Sequence, residues 1–89
     1  MIIFIKTLKN TYRLDVFPKN SIKDIKEMVN KQHDPPKGKQ LFYYVYTELD
    51  DNQLISELNI REYSTIYVFS QIKYENVKTL REKNAKKNK

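Results

Sequence analysis

The run QLFYYVY, residues 40–46, decides how this chain is read. In a strand, successive side chains point to opposite faces of the sheet. A run that is apolar or aromatic at nearly every position therefore cannot bury all of its side chains behind one face. The reading adopted here turns Leu41 and Tyr43 inward and leaves Phe42 and Tyr44 outward. The outward pair then needs a second layer of protein, or it forms a surface that exists to bind something.

The segments around this run favour the second outcome. Residues 1–7, MIIFIKT, and 12–16, YRLDV, alternate with period two, and the short connection through Asn10 predicts an antiparallel hairpin with Asn10 able to take a positive φ. Pro18 and Asn20 break the second strand. Ser21 then starts a helix, with Asp24 three residues on completing a capping box and Ile22, Ile25, Met28 and Val29 forming one apolar stripe. Asp34-Pro35-Pro36 stops that helix near Gln32. After QLFYYVY come the loop Asp50-Asp51-Asn52, a helical turn in LISELNI (54–60), and a last strand STIYVFS (64–70) with Ile66 and Val68 inward. One helix covers one face of a small sheet, and no second helix of adequate length exists to cover the other.

Composition limits the function classes. Eighty-nine residues make one small domain, and with no cysteine it has neither disulfides nor thiolate metal sites to reinforce it. The apolar start is too short for a signal peptide or a membrane span, so the chain reads as cytoplasmic or nuclear, with no membrane partner. The formal net charge of +6 is unevenly placed. Residues 1–72 carry ten Lys and Arg against nine Asp and Glu, whereas 73–89 carry seven against two. The basic character belongs to the tail, read as a disordered arm, a frayed helix or a linker. Nucleic acid enters as a partner only through it. His33 stands alone as a histidine, and Asp50-Asp51 reads as turn chemistry, so no enzyme, metal or cofactor is expected.

Several blocks in register resemble ubiquitin and ubiquitin-like domains: MIIFIKTL, SIKDIK, the Pro-Pro pair, QLFY, LDD and NIREYSTIYV. The resemblance covers residues 1–72. It implies the α+β β-grasp fold, a mixed sheet of four to five strands with one helix packed across one face. It also places Leu8, Phe42 and Phe69 in the family's hydrophobic binding patch, with Tyr67 between the sheet positions and Tyr44 extending the run. Lys26 falls where the family pairs a lysine with an acid of the LDD loop, here Asp51. Where conjugated members carry Gly-Gly, this chain reads Tyr74-Glu75, and its one glycine is Gly38. The expectation is a non-conjugated protein-interaction module, a monomer in isolation. Its partners would be of the ubiquitin-receptor, segregase, ligase or proteasome type, laying an apolar helix or loop on the exposed face.

Overall fold

The computed structural model describes residues 1–70, so the basic tail at 73–89 lies outside the described residues. Strands β1 (Ile2–Lys6) and β2 (Thr11–Asp15) pair antiparallel. Their register sets Ile3 opposite Leu14 and Ile5 opposite Tyr12, which gathers four buried side chains on one face. The turn is closed by Thr7. Its N–H donates to Asn10 O at 2.8 Å and its Oγ1 accepts from Asn10 N at 2.9 Å. Asn10 itself keeps a negative φ, because this local bonding makes a left-handed residue unnecessary there.

Helix α1 (Ile22–Asn30) begins as its sequence requires. Ser21 Oγ accepts from Asp24 N at 3.2 Å, and Asp24 Oδ2 accepts from Ser21 N at 3.0 Å, which satisfies two N–H groups that would otherwise lack partners. Ile22, Ile25 and Val29 are fully buried, and Met28 packs beside them. Such burial contributes about 1.5–3 kcal/mol per aliphatic side chain, far more than the propensity of nine residues could. Past the helix, Asp34 takes φ 55° and redirects the chain into Pro35-Pro36. Buried Tyr12 anchors this corner: its Oη lies 2.6 Å from Asp34 O and 3.1 Å from His33 O.

The remaining strands are β3 (Gln40–Tyr44), β4 (Thr47–Glu48) and β5 (Thr65–Ser70), with a short 3-10 helix at Ile55–Leu58 before the last. The sheet order is β2-β1-β5-β3-β4, with β5 parallel to β1 and antiparallel to β3. The result is an α+β domain with five strands in a mixed sheet and one helix across one face. Ile55 and Ile60 seal the end of the core beside the 3-10 helix.

The structure reverses the expected reading of QLFYYVY. Phe42 is 1% exposed and belongs to the core, whereas Leu41 and Tyr43 are half-buried on the opposite side. Two pairings force this. Phe42 lies opposite Val68 in β5, and its carbonyl accepts from Leu49 N at 2.7 Å, so it shares a face with two inward aliphatics. Tyr44 follows Phe42 inward, packing against the core with Oη 3.3 Å from Ser64 Oγ. The strand also stops at Tyr44. Val45 and Tyr46 form a two-residue turn, with Tyr44 paired to Thr47.

Candidate functional site

Helix α1 covers one side of the sheet, and among the described residues no other helix covers the opposite face. Its middle row can be read from the register: Thr11 beside Lys6, Lys6 beside Tyr67, Tyr67 beside Tyr43, and Tyr43 beside Glu48. Leu41 and Phe69 pair in the next row. Tyr67 and Phe69 are 46% and 55% exposed, and the Tyr43 and Phe69 rings meet edge-on with centroids 5.6 Å apart. Aromatic pairs in this arrangement are mutually stabilising yet still present a large contact area.

Phe69 divides two hollows. On one side a groove of about 350 Å³ runs between Leu8 and the Pro35-Pro36 corner, floored by Val68. On the other, a trough of about 730 Å³ is walled by Tyr43, Tyr67 and the Val45–Tyr46 turn. Of the patch expected from the sequence, Leu8, Tyr67 and Phe69 do reach this surface, and Leu8 is 89% exposed. Phe42 does not, and Tyr43 takes its place beside Phe69. Tyr44 is mainly a core residue whose edge reaches the end of the trough.

This topology and the run of matching blocks agree with a direct comparison: the sequence model of the ubiquitin family matches residues 3–71. The chain belongs to the ubiquitin family.

Within this ubiquitin-like module, Lys26 Nζ lies 2.5 Å from Asp51 Oδ1 and 5.5 Å from the centroid of buried Phe42. The ion pair ties α1 to the loop after β4, where Lys23 N also donates to Asp51 O at 3.0 Å. It braces the fold at the side of the core and lies off the aromatic face. The capping acid Asp24 is held below the usual carboxylate range, first by the hydrogen bond from Ser21 N, which outweighs the opposing cost of desolvation, with Asn20, the Ser21 hydroxyl and Lys23 adding to it. Among the described residues no group of three or more His, Cys, Asp or Glu side chains is placed to hold a metal ion, and no helix is long and apolar enough to cross a membrane.

Reading the sequence alone missed Tyr43, which it turned inward; Val45 and Tyr46 stand out there as an extension of the aromatic run that could widen the surface. The signal for Tyr43 was available: Glu48 and Leu49 differ in polarity, and a two-residue turn sets them opposite Tyr43 and Phe42. The turn itself carried no such signal, because Val-Tyr is a poor choice for the left-handed conformations it adopts.

Proposed function

We propose that this chain is a non-conjugated ubiquitin-like module that docks on partner proteins through the open sheet face. The observation that carries the reading is the contiguity of Leu8, Phe69, Tyr43 and Tyr67 on the one face that α1 leaves uncovered. An exposed aromatic surface of this kind on a small domain marks an interaction site, and Tyr and Phe bury large area at low cost in side-chain freedom. The role is recognition, not catalysis. The setting is cytoplasmic or nuclear, and the partner class is a ubiquitin-receptor, segregase, ligase or proteasome-type component. Tyr74-Glu75, at the place of the diglycine, supports a module that is read and never attached. Side chains at those two positions are too wide for a channel built for glycine.

The test is binding of the full chain to a panel of such components by surface plasmon resonance. At least one should bind with a Kd on the order of micromolar, as expected of a small interface. The Y43A/F69A double variant should lose that binding while still unfolding cooperatively, with a melting temperature lower by about 4–8 °C. Loss on deleting 73–89, with the double variant unaffected, would move the function to the basic tail and to nucleic acid.

A further inference from the structure

Strand β2 (Thr11–Asp15) is an end strand of the sheet, with a neighbour on one side only. Val16 N donates to Met1 O and Thr7 N to Asn10 O, each at 2.8 Å, which fixes the phase of its ladder with β1. Main-chain groups alternate in direction along an antiparallel strand, so Tyr12 and Leu14 bond to β1. Thr11, Arg13 and Asp15 turn their N–H and C=O groups outward, and no described residue bonds to them. The chain closes this edge itself only at Phe17, whose N–H donates to Asn20 Oδ1 at 2.7 Å and whose carbonyl accepts from Asn20 N at 2.9 Å.

An open edge is a template for a further strand, and proteins commonly blunt it with proline, a bulge or charge. β2 contains no proline, and its residues pair with β1 one to one, without a bulge. Its charges are of both signs. Arg13 has no acid partner among the described residues, and Asp15 uses one carboxylate oxygen, which accepts from the Met1 ammonium at 3.0 Å. The spacing of these two charges makes the edge complementary to itself. When two copies pair antiparallel about a twofold axis, outward-turned residues must meet outward-turned residues, so the axis passes through Tyr12, Arg13 or Leu14. At Arg13, it sets that arginine against its own copy. At Tyr12, it sets Arg13 against Thr11 and carries Asp15 past the strand end, opposite Lys9 in the turn. At Leu14, it sets Arg13 opposite the partner's Asp15, and Asp15 opposite the partner's Arg13. Opposite charges directly across a sheet favour the pairing and like charges oppose it.

We propose that β2 binds a second copy of this chain edge to edge, about a twofold axis through Leu14 that joins Arg13 to the partner's Asp15. The ladder is short, because Asn20 occupies the edge at Phe17, so the Kd is on the order of 0.1–1 mM and the dilute chain stays single. The broad aromatic face takes no part, and the proposal stands apart from the docking reading above.

The ¹⁵N-labelled full chain, diluted from about 2 mM to about 20 μM in about 0.15 M salt, tests it. Amide shifts should centre on β2 and be largest at Arg13 and Asp15, whose N–H groups gain acceptors. R13D and D15R each bring like charges together and should pair at least about tenfold more weakly. R13D also lowers the net charge of +6, so general repulsion between copies would make it pair more tightly, the opposite result. An equal mixture of R13D and D15R should pair about as well as wild type, because every acidic position then faces a basic one. The exchanged variant R13D/D15R should do the same. A single variant that fails to melt cooperatively is replaced by this exchanged one, whose loss of pairing would overturn the proposal. Shifts independent of concentration overturn it, as does association that R13D and D15R leave unchanged. Shifts centred on Tyr43 and Phe69 would move self-contact to the aromatic face, and a mixture that fails to pair would exclude the Leu14 axis.

Discussion

The ring of Tyr43 meets that of Phe69 at 72° across the β3–β5 pairing, on the face opposite the buried ring of Phe42. Two adjacent aromatics in one short strand thus have opposite duties, and substitution should separate them. Phe42→Ala opens a hole in the core and should cost about 3–5 kcal/mol of unfolding free energy. Tyr43→Ala removes only an edge-on contact at the surface and should cost about 1 kcal/mol. Urea denaturation followed by circular dichroism decides the matter. Equal losses would mean that the register of β3 is wrong.

Stability at low pH should depend on Asp24. Its carboxyl titrates below the ordinary value in the folded state, so its contribution is complete above the unfolded-state value of about 3.9 and fades as the pH falls through the lower folded value. Asp24→Asn should therefore narrow the gap in melting temperature between pH 7 and pH 2. An unchanged acid profile in the variant would show that the Ser21–Asp24 capping box carries no proton-linked stability.

The Lys26–Asp51 pair should couple weakly. Its side chains are 27% and 53% exposed, so solvent screens the attraction. A double-mutant cycle with Lys26→Met and Asp51→Asn should return about 0.2–1 kcal/mol. Lys26→Met alone should lose little, because a methionine side chain can still cover the Phe42 ring. A coupling of several kcal/mol would indicate a pair far better shielded than its exposure shows.

Backbone conformation makes a further test at Asn59, which ends the 3-10 helix with φ 56°. Asn tolerates this region through its short polar side chain, and Val does not. Asn59→Gly should leave the melting temperature nearly unchanged, whereas Asn59→Val should destabilise by about 1–2 kcal/mol. Similar melting curves for the two variants would contradict the left-handed cap.

Removal of residues 73–89 should leave cooperative unfolding intact. Among the described residues, a buried cluster running from Ile3 to Val68 already joins the helix to every strand but β4. Differential scanning calorimetry of full-length and shortened chains should give closely similar transitions, and a collapse on shortening would place apolar tail residues in the core.

Much of this architecture was readable because the polar and apolar residues segregate cleanly where it counts. Leu14 and Val16 alternate with Arg13 and Asp15, and Ser21 with Asp24 announces a helix start, so β2 and α1 follow directly from local rules. QLFYY offers no such contrast. With apolar side chains on both faces, only long-range partners fix which face is inner, and for Phe42 those are Val68 and Leu49. Val45-Tyr46 reads from sequence as a continuation of the strand because strand-forming residues occupy the turn. Local propensity there opposes the fold, as it does where residues serve something other than stability.

The strand at the middle of the sheet is also the last made among the described residues. β5 must pair with β1 on one side and β3 on the other, and a lone hairpin such as β1–β2 is barely stable in water. During synthesis, Ile3 and Ile5 therefore leave the ribosome long before Ile66 exists to cover them, and they wait for several seconds at ordinary elongation rates. The nascent chain spends that interval with these apolar side chains uncovered, the condition under which aggregation competes with folding. The sheet is complete only once Thr65–Ser70 lies between its two neighbours.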